Sequence, residues 1–157
     1  MGYRGNDRSR KTPKSQNNIA SKIPKIASLS YLDNTGYDKK NPSWRFSICN
    51  NDNHEWSPHG TSIKGMIYTY LIAKENQTWG EIKKETHDDG KTKNHFIDIQ
   101  RIDPNAQKIL QDRNLIEDRI FSLRIDNKKR LFGYLRDDGV FDIIWFDPNH
   151  SICKMKK

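Results

Sequence analysis

Residues 119–152, RIFSLRIDNKKRLFGYLRDDGVFDIIWFDPNHSI, hold three apolar runs separated by two turn signals. Ile120, Leu123 and Ile125 make the first run, and Leu131, Phe132, Tyr134 and Leu135 the second. The third runs from Val140 to Phe146, interrupted only by Asp142. Between them stand Asp126-Asn127 and Asp137-Asp138-Gly139, residue types that tolerate the backbone of tight hairpins. Such spacing predicts three neighbouring antiparallel strands. Side chains alternate faces along a strand, so Arg119, Arg124, Arg130 and Arg136 can gather several guanidinium groups on one face. A basic sheet face neutralises phosphates, and a guanidinium stabilises charge on a transferring phosphoryl group. The competing reading is that strand arginines are solubilising or paired.

Working upstream, SWRFSIC at 43–49 alternates Trp44, Phe46 and Ile48 with Arg45 and Ser47, which predicts a half-buried strand. Polar residues 50–58 close it, and Gly60 or Thr61 opens a helix with Ile63, Met66, Ile67, Tyr70 and Leu71 at helical spacing. Thr78-Trp79-Gly80-Glu81 reads as a capping box for a second helix reaching about Thr86. HDDGKTKN at 87–94 is a polar loop, and Phe96, Ile97 and Ile99 mark a strand or extended connector. Pro104 suits a first helical position, followed by Ala106, Ile109 and Leu110 on one helical face. This order specifies an α+β domain, with an N-terminal strand and helices packed on an antiparallel sheet that ends in a three-stranded meander. Trp44, Trp79, Trp145, Phe46, Phe121, Phe132 and Phe141 are expected in the core. Trp56 and Tyr134 have polar neighbours, which leaves them open to a core or an RNA-stacking role.

A chain of 157 residues has the size of one domain, yet only 33% of it is hydrophobic. The first 25 residues carry seven lysines or arginines and one aspartate, so six of the formal +8 charges sit there. That segment, 1–25, is expected to be a disordered basic tail, and 26–157 a single domain whose residues 26–32 form a first strand or an arm. The tail cations Arg8, Arg10, Lys11 and Lys14 suit nucleic acid, ribosomal RNA included, and the tail lacks an apolar face for a membrane. No secretory signal or transmembrane run is visible, which points to a cytoplasmic protein. The two cysteines, Cys49 and Cys153, do not form a zinc-ribbon or disulfide pattern. A zinc site drawing on Cys49, His54, His59, His150 and Cys153 is the sharper alternative, although the spacing matches no standard finger. No metal or other cofactor is implied, and no phosphate-binding P-loop occurs.

The order of elements, together with LRID, NKKRLFGYLRDDG and VFDIIWFDPNH, resembles the RelE/ParE superfamily of bacterial toxins, in which two N-terminal helices pack on an antiparallel sheet. The resemblance spans about residues 43–153 and is one of pattern. The ending IWFDPNH, 144–150, is also similar to that of a group of small bacterial proteins. Membership implies metal-independent mRNA cleavage at the ribosome in the RelE branch, or gyrase inhibition in the ParE branch. Under the RelE reading His150 is the acid or base, Arg124 and Arg130 hold phosphate, and Glu117 is the carboxylate base before the sheet. Histidine suits these proton steps because its ordinary pKa lies near neutrality.

His95 is a second candidate from the residues themselves, because Lys91, Lys93 and His95 bring two ammonium groups and an imidazole to one element boundary. With Arg136, the two lysines are candidate nucleic-acid contacts. The bland reading makes His150 a strand cap after the turn at 147–149. This chain departs from the family in its length, basic tail, extra helix and the acidic Asp142 and Asp147 of its last segment. Three functions therefore compete: an endoribonuclease or toxin, a non-catalytic RNA- or ribosome-binding module, and a protein-interaction domain that recognises an antitoxin or another protein.

Overall fold

The computed structural model describes residues 36–50, 52 and 55–154. The tail, with Arg8, Arg10, Lys11 and Lys14, and the segment 26–32 lie outside the described residues. A 3-10 turn, Gly36–Lys39, precedes the short strand β1, Ser43–Arg45. Helices α1, Thr61–Lys74, and α2, Trp79–Lys84, follow, and then strand β2, His95–Asp98. A second 3-10 turn, Ile99–Arg101, leads to α3, Pro104–Asp112. The chain finishes with β3, Arg119–Arg124, β4, Arg130–Leu135, and β5, Val140–Asp147. The fold is α+β, and its five strands lie in the order β1-β5-β4-β3-β2. All neighbours are antiparallel except β1 and β5, which run parallel with Trp44 opposite Phe141.

Local chemistry fixes the helix starts. The Thr78 hydroxyl accepts from the Glu81 N–H at 3.3 Å, while the Glu81 carboxylate accepts from the Thr78 N–H at 2.7 Å, closing the capping box of α2. Pro104 opens α3, and Asp103 accepts from the Asn105 N–H at 2.8 Å. The expected strand at 43–49 stops at Arg45, because the chain turns back with the Cys49 N–H donating to the Phe46 carbonyl at 3.1 Å. Phe46 is consequently half exposed, against the expectation that it joins the core. Trp56 and Tyr134 are buried. Tyr134 donates to the Leu115 carbonyl at 2.7 Å, and burial pushes its phenol up to about 12.

The sheet has apolar packing on both faces. On the first face Ile67 and Leu71 of α1 and Trp79 and Ile82 of α2 meet Phe121, Leu123, Leu131, Phe141, Ile143 and Phe146. Trp79 is fully buried, stacks edgewise on Trp44 and Phe121, and donates its indole N–H to the Gly139 carbonyl at 2.8 Å. On the second face Ala106 and Leu110 of α3, with Trp56, Ile102 and Ile152, meet Ile97, Ile120, Phe132, Tyr134, Ile144 and Trp145. Gly139 takes the left-handed φ of 87° in the β4–β5 turn, a conformation glycine adopts without steric cost.

A bulge interrupts the β4–β5 ladder: Gly133 lies opposite Ile143 and Phe132 opposite Trp145, so Ile144 is the extra residue. The chain can approach this closely only because residue 133 has no side chain, since a Cβ there would lie 2.1 Å from the Asp142 carbonyl oxygen. Gly133→Ala is expected to cost roughly 1–3 kcal/mol through overpacking against backbone. Thermal unfolding followed by circular dichroism should show a clearly lower melting temperature, and an unchanged one would mean that the strands part freely at the bulge.

A basic cleft as candidate nucleic-acid interface

The β3–β4 turn is built by Asp126, whose side chain accepts from the N–H groups of Lys128 and Lys129 at 3.2 and 3.0 Å. This hairpin register places Arg124 directly opposite Arg130. Arg130 is only 7% exposed, a rare state for a cation. Its Nη1 donates to the carbonyls of Asp126 at 2.7 Å and Lys129 at 3.1 Å. Arg124 donates from Nε to the Asp126 carbonyl at 2.9 Å and from Nη2 to Asn127 Oδ1 at 3.2 Å, and its Nη1 rests against the His87 ring. Among the described residues no carboxylate forms an ion pair with either guanidinium.

Both arginines line a cavity of about 1800 Å³ at this end of the sheet. His95 enters from β2, where it lies opposite Ser122 of β3, and His150 enters from the segment after β5. Lys91 and Lys93 enter from the α2–β2 loop, and Arg101 from the second 3-10 turn. Nine lysines and arginines line the cavity against four carboxylates, a surplus of five positive charges. The sequence candidates His95, His150, Arg124, Arg130, Lys91 and Lys93 are thus brought together.

Glu117 and Arg136 are not part of that group. They pair with each other at 2.7 Å near the opposite end of β4, where Arg136 also binds Asp142 at 2.8 Å. Arg136 is held by carboxylates and so lacks the open cationic setting expected of a nucleic-acid contact, while Glu117 is bound to that arginine away from both cavity histidines. Arg119 instead stacks on the Phe96 ring at 4.6 Å.

The sequence did not single out His87, Ser122, Arg101, Lys129 or Lys154, all of which line the cavity. His87 arrives there because residues 86–92 fold as a small hairpin. Its N–H donates to the Lys91 carbonyl at 2.8 Å, Thr86 bridges Thr92, and Gly90 supplies a left-handed φ of 78°. The Asp-Gly pair in HDDGKTKN was the available signal for that turn. Buried Asn94 locks the hairpin to the sheet, donating to the Ile82 carbonyl at 2.8 Å and accepting from the Arg124 N–H at 2.9 Å.

His150 sits at a left-handed φ of 57°. Buried Asp147 stabilises that loop by accepting from the N–H of Asn149 at 3.1 Å, the N–H of Ile152 at 2.8 Å and the Ser151 hydroxyl at 3.2 Å. Partial burial and the Arg130 charge lower the pKa of both His95 and His150, and His150 adds to the effect on His95. Burial and Arg124 lower that of His87. All three imidazoles are therefore neutral at neutral pH and able to accept a proton. Cys49 and Cys153 are free thiols, and among the described residues no group of three His, Cys, Asp or Glu side chains stands ready to hold a metal.

Comparison of the chain with family models, with curated proteins and with solved structures found no match. Among the described residues no helix is long and apolar enough to cross a membrane.

Each cavity histidine binds its proton less readily in the folded chain than in the unfolded one, so the fold loses stability as pH drops below about 6.5. NMR titration should give midpoints below that value for His87, His95 and His150. The loss of melting temperature between pH 7.5 and 5.5 should shrink when all three are replaced by glutamine, an effect separate from that of the carboxylates, which titrate at lower pH.

Proposed function

We propose that this protein acts on RNA, binding the phosphate backbone in the basic cleft and cleaving it without a metal, as RelE-like toxins do on mRNA at the ribosome. The observation that carries this reading is the convergence of His95, His150, Arg124 and Arg130 on one cationic cavity. In the cleavage step one imidazole takes the proton of a ribose 2′-hydroxyl, whose oxygen attacks the adjacent phosphorus. The bond from phosphorus to the 5′-oxygen breaks, the other imidazole protonates that oxygen, and the products are a 2′,3′-cyclic phosphate and a 5′-hydroxyl. Arg124 and Arg130 offset the charge that builds up on the phosphoryl oxygens. His95 and His150 approach from opposite elements, and their low pKa suits the base; the proton that the acid needs is favoured once an anionic phosphate is bound.

Induced expression in a bacterial host, with mRNA 5′ ends mapped, tests this. Wild type should produce new 5′-hydroxyl ends and arrest growth, whereas His150→Ala and His95→Ala should each reduce cleavage by about 10²-fold or more, the usual contribution of one acid or base. Cleavage that survives in the double variant would sink the assignment of both histidines.

A second reading, a non-catalytic RNA- or ribosome-binding module, draws on the charge surplus of the cleft and the six net positive charges of the first 25 residues. It predicts steeply salt-dependent binding that weakens when residues 1–25 are removed, with no new RNA ends. Binding unchanged by that truncation would count against the tail as an anchor.

A further inference from the structure

Helix α1 is apolar around most of its circumference. Ile67 and Leu71 face the first core, with Ile63 and Met66 packed beside them. On its outer side, where a surface helix ordinarily carries charge, Tyr68 is 68% exposed and Ile72 43%, and Lys64 is the one charged residue among the exposed positions of the helix. Across from that stripe the chain turns back after β1 and leaves Phe46 half exposed. Tyr68, Ile72 and Phe46 are three of the four large hydrophobic side chains exposed among the described residues. All three line one groove of about 800 Å³ between α1 and the turn after β1. Exposed apolar side chains gathered in this way mark an interaction surface, whereas single ones need no explanation.

The charges along the groove indicate what covers it. The first residue of the helix to line it is Lys64, and the last is Glu75, which caps the C-terminal end of α1. The two are eleven residues apart, about 16 Å along the helix axis. With Tyr68 and Ile72 they fall at i, i+4, i+8 and i+11, on one stripe. Among the described residues neither charge is in an ion pair. A second α1 laid antiparallel on this stripe sets the partner's Glu75 against Lys64, the partner's Lys64 against Glu75, and the partner's Ile72 beside Tyr68. A parallel copy would instead bring like charges together at both ends. The stripe is therefore complementary to itself under a two-fold axis, the condition for an interface between identical chains. Gly65 also lines the groove and puts no side chain in the way of this approach.

We propose that the outer face of α1 is a dimer interface, with a second copy of this chain packed antiparallel about a two-fold axis near the middle of the helix. The Tyr68 ring of each copy then fills the groove of the other, as a large aromatic anchor does at the centre of a contact. The groove and the basic cleft have no lining residue in common, so this pairing uses none of the cleft residues and stands apart from the RNA reading.

Sedimentation equilibrium of the full chain, treated with nuclease so that RNA cannot bridge two copies, should show a monomer–dimer equilibrium. Tyr68→Glu and Ile72→Glu should each weaken the dimer by about ten-fold or more. Lys64→Glu places like charges together at both symmetric ends and should weaken it by about ten-fold. Adding Glu75→Lys to that variant should restore it, because the reversed pair is again complementary to its own copy. All four positions are exposed, so circular dichroism of each variant should match the wild type. A dimer indifferent to Tyr68→Glu would overturn the proposal by placing the contact elsewhere. One that responds to Tyr68→Glu but is not restored by the double reversal would overturn the antiparallel pairing. A chain that stays monomeric at every concentration would overturn the proposal outright. Resistance of Tyr68 to nitration would then give the groove to another segment of this chain, and ready nitration would leave it to a different protein.

Discussion

The bulge at Ile144 governs where the chemistry of this molecule can sit. Before it, Phe141 and Ile143 of β5 face the first core; after it, Phe146 does, while Ile144 and Trp145 both face the second core. Were the same residues to run through Ile144 in strict alternation, with no bulge, Asp147 would fall on the first face. With it, Asp147 falls on the second face and binds the turn that carries His150 and buries Ile152 against α3. The bulge, allowed by the missing side chain of Gly133, thus keeps the loop that carries His150 on the same face as Arg124, Arg130 and His95.

The two ends of the β3–β4–β5 meander solve the same electrostatic problem in different ways. At one end, fully buried Asp142 is held by Arg45 at 2.6 Å and Arg136 at 2.8 Å, and Glu117 takes the remaining charge of Arg136. Burial works against the Asp142 charge, but the hydrogen bonds from both arginines outweigh it and keep the carboxyl below its ordinary range. That network is closed: cations and carboxylates satisfy one another. At the other end Arg130 is as buried as a strand residue, yet its partners are neutral carbonyls, and burial pushes its own pKa down. Buried Asp147 lies opposite it on β5 and its charge favours the guanidinium, but that carboxylate is engaged by the loop that carries His150 and makes no direct ion pair with Arg130. The asymmetry leaves the guanidinium groups of this end, among the described residues, without the direct ion pairs that close the other.

Much of this was legible in the sequence because the signals were local. The hairpins at Asp126-Asn127 and Asp137-Asp138-Gly139, the Thr78 capping box and Pro104 each declare an element within a few residues. The α+β order followed from them. The parallel pairing of β1 with β5 was hidden, since Trp44 and Phe141 are far apart in the chain and no local pattern reports such a register. Six candidate residues of the cleft were visible by type and turn position, but Arg136 and Glu117 looked equivalent to them; only the register shows that they face Asp142 and each other instead. His87 carries no such local signal, because it becomes a cleft residue only when its loop folds back onto Arg124.

The cleft also links charge to proton chemistry. Burial first and the neighbouring arginines second favour the neutral imidazoles: Arg130 adds to the lowering of His95 and His150, and Arg124 to that of His87. An anion placed among them cancels part of that field, and each histidine then holds its proton at a higher pH than in the empty cleft. By linkage, the proton taken up in turn tightens the hold on the anion, so binding and protonation favour each other. Under the proposed RNA cleavage, the general acid would then form only where phosphate is bound, and the neutral imidazole would be the resting form of the free protein.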